Sequence, residues 1–237
     1  MRSLPSFPKG FDAVEAPSLV LPTTPEVLKN LQTGLGKSIH GYYPSTKIGN
    51  ALYVGQAQLD AMRFLDLRTD VVDFTTFPLE VRVAIDGTAH AWFPDLGVML
   101  EGGRRAVLDF LTPGEMTYFR RHNLVQAMVG ALAQHGISYV AYDTTEFAAS
   151  APCRNAAYVA SFRRGQVDEA IATIVHGLIR ERGAMSLQAM KSAVGQVRGA
   201  VSTVCSMAWA EAVALDLRAA SPLEILILPY PNRGGAH

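Results

Sequence analysis

Apolar residues along the chain change their spacing several times, and each change predicts the edge of an element. Over residues 55–67, Leu59, Met62, Phe64 and Leu65 gather on one helical face while Gln56, Asp60 and Arg63 lie off it, which predicts an amphipathic helix. The period then shortens to two. Residues 71–74, 79–85 and, after the hairpin pair Asp86-Gly87, 89–93 read as adjacent antiparallel strands. Two more apolar runs, 96–100 and 106–111, flank the turn-forming Glu101-Gly102-Gly103 and predict a second hairpin. A long amphipathic pattern over 114–135 is stopped by Gly136, and 137–142 predicts another strand. Helix, strands, helix, strand in this order describes an α/β fold with one mixed sheet flanked by helices.

The two ends of the chain read differently. Residues 1–50 are rich in Pro, Ser, Gly and Thr, with Pro5, Pro8, Pro17, Pro22, Pro25 and Pro44 interrupting any long element, so they predict an arm in which only 24–35 has helical spacing. Residues 144–154 predict a linker. Beyond it the pattern is helical over 166–182, again from the N-cap residue Ser186 to near Gly195, and from Val197 to about Arg218, before a last strand over 223–228. Three helices with the second and third close together, then a strand, give the order of a winged helix-turn-helix. The expected organisation is an arm over 1–50, an α/β domain over 51–150 and a winged-helix-like all-α domain over 151–237.

With 237 residues, 49% hydrophobic and 18% charged, the chain is long enough to bury a substantial core and too patterned to be fibrous or disordered. It has no apolar run of the ~18 residues that a membrane span needs, and its first residues lack a signal-peptide core, so a cytoplasmic protein is expected. Cys153 and Cys205 are too few for a disulfide framework or a thiolate metal cage. The formal charge is zero, but 12 Lys+Arg stand against 15 Asp+Glu in residues 1–150, and 9 against 6 in 151–237. A small basic excess therefore falls in the expected winged-helix part.

Candidate chemistry centres on the second predicted hairpin. Pro94-Asp95 opens one strand and Asp109 lies on the next, so pairing about the Glu101-Gly102-Gly103 turn brings both carboxylates to one end. Two facing carboxylates suit Mg²⁺, which takes one or two acidic oxygens and stabilises charge developing on a phosphate. A lysine two residues past the second acid would share its face by strand alternation, but Leu111 stands there and no lysine lies between Lys47 and Lys191. The six histidines are scattered, none paired at i, i+4, and Gly34-Leu35-Gly36-Lys37-Ser38 lacks the spacing of a phosphate loop.

Tyr43-Pro44-Ser45-Thr46-Lys47, then 55–60 (Gly-Gln-Ala-Gln-Leu-Asp), Asp70-Val71-Val72-Asp73-Phe74, Pro78-Leu79-Glu80-Val81 and Phe93-Pro94-Asp95 together make residues 42–146 resemble TnsA-type transposon endonucleases of the PD-(D/E)xK restriction-endonuclease-like superfamily. The resemblance implies a restriction-endonuclease-like mixed sheet, a catalytic set at Gln56, Asp95 and Asp109, and Mg²⁺ at Asp95 and Asp109. It also implies DNA, a transposase and an ATPase regulator as partners. Gln56 stands where the family has a glutamate and Leu111 where it has a lysine, and neither can charge a metal site or activate a water. The expected protein is a DNA-associated component of a mobile-element machine with an impaired nuclease fold. The alternative is an active Mg²⁺-dependent endonuclease cutting transposon 5′ ends, rebuilt with Asp60, Arg104, Arg105, Arg120 or Arg121. A third reading is a regulator that only binds DNA, through Gln196, Arg198, Ser202 and Thr203 at the opening of the third C-terminal helix, where Arg and Gln can read base edges.

Overall fold

The computed structural model describes residues 18–20, 39–85, 87–195, 197 and 199–231. It is a mixed α/β structure in which a mixed sheet is flanked by helices, and among the described residues no helix is long and apolar enough to cross a membrane. The described residues fall into two compact units. One comprises those up to Leu59 together with Val71–Phe147, the other Asp60–Asp70 together with those from Ala148 onward. Residues 60–70 of the expected α/β domain thus belong to the second unit, and part of the expected arm belongs to the first. The helical spacing over 24–35 lies outside the described residues.

In the first unit, β1 (Ser18–Val20) pairs with β5 (Glu80–Ile85), which forms a hairpin with β6 (Thr88–Trp92). β2 (His40–Ser45) and β3 (Gly49–Val54) make a separate antiparallel ribbon that crosses the boundary expected between the arm and the α/β domain at residue 50. Pro44 sits in that ribbon opposite Asn50, which a two-stranded edge tolerates. The central sheet holds β4 (Val71–Thr76), β7 (Leu96–Leu100), β8 (Arg105–Leu111) and β9 (Ile137–Asp143) in the order β4-β7-β8-β9, antiparallel except for the parallel β8–β9 pair. β4 therefore pairs with β7, not with β5 as the run of alternating segments suggested. Gly102 and Gly103, both at φ 75°, make the tight β7–β8 turn that an L side chain resists.

The amphipathic run after β8 is two helices, not one. α2 (Pro113–Arg121) starts at a reciprocal cap between Thr112 and Glu115 and ends before Asn123, whose left-handed φ of 52° starts α3 (Leu124–Ala133) on a new axis. Asparagine tolerates this conformation better than other non-glycine residues, so the break is local chemistry that the apolar period conceals. These helices pack Met116, Phe119, Leu124, Met128 and Leu132 against Val81, Val83, Val107 and Tyr139. α1 (Gln56–Leu67) precedes the sheet, starting in the first unit and continuing in the second, with Met62 and Leu65 buried.

The stretch 144–154, expected to be a linker, is helical and crosses from the first unit to the second. α4 (Thr144–Ala149) is followed in the second unit by α5 (Ala151–Ala160), where Ser150 caps Cys153 N–H and Pro152 occupies the first turn, a position that lacks a helical partner for its missing N–H anyway. Asn155, fully buried, donates to the carbonyls of Leu217 and Ala219 at 2.8 Å each. α6 (Glu169–Arg182) is capped by Asp168; β10 (Met185–Ser186) leads into α7 (Leu187–Ala193), where Ser186 accepts Ala189 N–H as expected. α8 (Ala200–Trp209) ends nine residues before the predicted Arg218. Glu211 turns at φ 55°, and Val213–Asp216 forms β11, which pairs with β12 (Leu226–Pro229). Burial of Val213, Ala214 and Leu215 against that partner outweighs the helix preference of the alanines around them. The three short strands are antiparallel in the order β10-β12-β11 over a core of Ile171, Val175, Leu187, Met190, Val204 and Ile227.

Candidate functional site

Asp95 precedes β7 by one residue, and the register Leu96↔Leu108 places it beside Asp109 across the hairpin. The structure therefore brings together the two acids expected to meet. Their contacts cross: Asp95 N–H donates to Asp109 Oδ1 at 3.2 Å, and Phe110 N–H donates to Asp95 Oδ2 at 2.8 Å. The other oxygen of Asp109 accepts from Trp92 Nε1 at 2.6 Å and from the Tyr139 hydroxyl at 2.7 Å. Asp109 is 0% exposed and Asp95 5%.

This arrangement follows from strand geometry. On β8, Val107, Asp109 and Leu111 alternate onto the face covered by α2, α3 and β5, and the parallel partner of Val107 is Tyr139, one step from Asp109. Trp92, at the end of β6, supplies the indole that closes the site and packs edge-on against Phe119 at 4.6 Å. Burial first, and the nearby Asp95 charge second, push the Asp109 carboxyl well above the ordinary carboxylate range, against the pull of Tyr139, Trp92 and the Asp95 N–H. Burial first, and then the Asp109 carboxylate that it bonds, push the Tyr139 hydroxyl far up.

Gln56 is exposed at the first turn of α1. Gln58, two residues on, is 1% exposed: its Oε1 accepts Val54 N–H at 2.6 Å and its Nε2 donates to the Asp95 carbonyl at 2.8 Å. The contact between α1 and the acid strand thus runs through Gln58, and it carries no charge. Leu111 is 1% exposed and belongs to the apolar cluster. Lys47 donates from Nζ to the carbonyl of Val71 at 2.6 Å, at the opposite end of β4 from the residue that pairs beside Asp95. Asp60, considered as a migrated acid, is bonded to Arg63 at 2.8 Å in the second unit. Arg104, Arg105, Arg120 and Arg121 are exposed, and Arg105 bonds the His135 carbonyl at 2.9 Å.

Mg²⁺ requires carboxylate lone pairs turned toward it and keeps several waters. Both oxygens of Asp109 are instead met by N–H and O–H donors whose hydrogens point at the position a cation would need, in a place with no solvent exposure. The residues present do not fit the metal. Among the described residues no group of three or more His, Cys, Asp or Glu side chains gathers. Beside Trp92 lies a cleft of about 20 Å³ lined by Val83, His90, Tyr118, Phe119, Leu124 and Met128, space for one water and no substrate. His90 at its rim is held below its ordinary pKa by burial, then by His122.

In the second unit, Gln196 and Arg198 lie outside the described residues. Ser202 donates its hydroxyl to the Gly199 carbonyl at 2.8 Å. Thr203 does not face outward as expected: it is 2% exposed, and its Oγ1 accepts Asp168 N–H at 3.5 Å, so it serves the packing of α6 on α8. The one-residue step from Ser202 to Thr203 turns the side chain ~100° about the helix, from surface to core. Arg163 stacks over the Trp209 ring at 5.0 Å.

Sequence reasoning missed Gln58, Trp92 and Tyr139. Gln58 has the i, i+4, i+7 spacing with Met62 and Leu65, which places a polar residue on the buried face and signals that its amide has a partner there. Trp92 and Tyr139 are polar-tipped aromatics in apolar strands, which normally seek an acceptor when buried. No family model and no curated protein matches this chain.

Proposed function

We propose that this protein is a DNA-associated, catalytically silent member of a mobile-element machine, with a restriction-endonuclease-like first unit and a winged-helix-like second unit. The observation that carries the silent site is Asp109: fully buried, bonded through both oxygens to Trp92, Tyr139 and the Asp95 N–H, with Leu111 where a base would stand. Support for the first unit's nuclease-like descent comes from its order. A helix precedes three antiparallel strands of the central sheet, and a helical crossover leads to a parallel fourth, with two acids facing each other on the middle hairpin. After α5, the second unit's order of helix, short strand, two helices and two strands, with a sheet arranged first, third, second, is similar to a winged helix.

On this reading the first unit is a retained scaffold. Its partners are DNA and proteins of the kind that accompany transposon endonucleases, a transposase and an ATPase regulator. α8 itself carries no basic residue, so DNA affinity rests on Gln196, Arg198 and the exposed Arg164, Arg180 and Arg182. The test combines two assays on the full chain. Supercoiled and linear DNA are incubated in Mg²⁺ and in Mn²⁺ with the wild type and with Asp95→Ala and Asp109→Ala, and DNA binding is followed by fluorescence anisotropy with an Arg198→Ala variant beside them. The expected result is no cleavage by any form, and binding that falls with rising salt and with Arg198→Ala. Metal-dependent nicking that both Asp variants lose would instead establish the active endonuclease. Absence of DNA binding at low salt would overturn the DNA-associated reading.

A further inference from the structure

β9 is the last strand of the central sheet: among the described residues it has one strand neighbour, β8, and nothing pairs along its other side. Edge strands of soluble proteins are normally guarded by lysine, proline, a bulge or very short length. β9 has none of these. Ile137-Ser138-Tyr139-Val140-Ala141-Tyr142 is six residues without charge or proline, and its register with β8 is unbroken over seven pairs. Val140 and Tyr142 are exposed, and Tyr142 is held in place by stacking on Phe110 at 5.7 Å and by Phe147 at 5.4 Å.

We infer that β9 pairs antiparallel with β9 of a second copy of this chain about a two-fold axis at Val140, extending the sheet across the dimer. Two features select a second copy as the occupant. The first is side-chain size: centring on Val140 sets Tyr142 opposite Ser138, Tyr139 opposite Ala141 and Asp143 opposite Ile137, so each aromatic meets a small residue, whereas a centre at Ala141 sets Tyr142 against Val140 and Tyr139 against Asp143. The second is charge. Beside the N-terminal end of β9 stands the exposed Arg105, paired from β8 with Ile137, and at its C-terminal end stand Asp143 and, three residues on, the exposed Glu146. Antiparallel pairing brings the basic end of each copy to the acidic end of the other, the self-complementary arrangement an isologous interface requires. A parallel pairing would set like ends together.

The experiment uses the full chain. Sedimentation equilibrium at about 100 µM is expected to show a dimer, a Kd below that concentration. Val140→Lys sets two ammonium groups opposite each other at the axis, on a side chain already exposed, and is expected to raise the dimer Kd about tenfold or more. Register is tested by Val140→Cys and Ser138→Cys under mild oxidation. The native Cys153 and Cys205 are buried and give little background. Val140→Cys faces its own copy and is expected to cross-link; Ser138→Cys faces Tyr142 of the other copy and is not. A monomer at about 100 µM would overturn the inference. So would a dimer that Val140→Lys leaves intact, or equal cross-linking at both positions.

Discussion

Asp109 shows how one residue type at one spacing serves opposite ends. Strand alternation put it opposite Asp95, as the hairpin pattern implied, but the same alternation turned it into the apolar layer under α2 and α3, where Trp92 and Tyr139 complete its hydrogen bonds. Because the folded carboxyl is raised above its unfolded value, the folded state holds more protons than the unfolded one over the window from the ordinary carboxylate range upward. Stability contributed by this group is therefore greatest at acidic pH and falls as pH rises through that window. Asp109→Asn keeps an oxygen for Trp92 and Tyr139 and removes the titration. Urea unfolding midpoints measured across a pH series should show a flatter profile for Asp109→Asn than for the wild type, with the variant gaining relative stability toward neutral pH. An unchanged slope would show that the carboxyl titrates normally.

Elements in this chain were legible where one local signal dominates. The capping residue Ser186, the period-two runs that became β5 and β6, and the apolar runs about the Glu101-Gly102-Gly103 turn that became β7 and β8 stand close to where the sequence puts them. Errors arose where a second local effect was silent in the period. Asn123 splits one predicted helix by a backbone conformation, Pro152 sits in the first turn of a helix where a linker was expected, and β11 replaces the end of a predicted helix because β12 arrives from a distance to pair with it. Gly165 belongs to the same class of silent determinant. A Cβ there would lie 2.7 Å from Ser206 Oγ and 3.0 Å from the Phe162 carbonyl, and Ser206 already donates to that carbonyl at 3.1 Å. Gly165→Ala should cost ~1–3 kcal/mol in chemical unfolding through overpacking of the loop on α8. A cost below ~0.5 kcal/mol, the usual range for surface changes, would mean the loop moves freely aside.

Among the described residues, the buried cluster around Phe119 and Met128 in the first unit and the one around Val175 and Leu187 in the second share no residue, and each unit holds one of the chain's two tryptophans, Trp92 in the first and Trp209 in the second. Each indole reports on its own core: Trp92 through Asp109 and Phe119, Trp209 through the Val159 carbonyl at 3.2 Å. Tyr139→Phe removes one donor from buried Asp109 and should destabilise the first unit by ~1–3 kcal/mol. Measured in Trp92→Phe and Trp209→Phe backgrounds, that loss should shift the transition seen by Trp92 and leave the one seen by Trp209 in place. Equal shifts would show a single cooperative unit.

Hydrophobic period and turn residues, being local, determined by themselves that this is an α/β chain with helices around strands, a hairpin bearing two facing acids, and a mainly helical C-terminal part. Three things were decided only in three dimensions. Strand order set β4 beside β7, because the partner that best buries an apolar strand need not be the next one in sequence. The division into units moved residues 60–70 away from their neighbours in the chain, since packing ignores connectivity. The surroundings of the acid pair were fixed by Trp92 and Tyr139, 17 and 30 residues from the Asp109 carboxylate they bond, and by Gln58, 37 residues from the Asp95 carbonyl it bonds, because desolvation and hydrogen bonding depend on what surrounds a carboxylate and not on what precedes it.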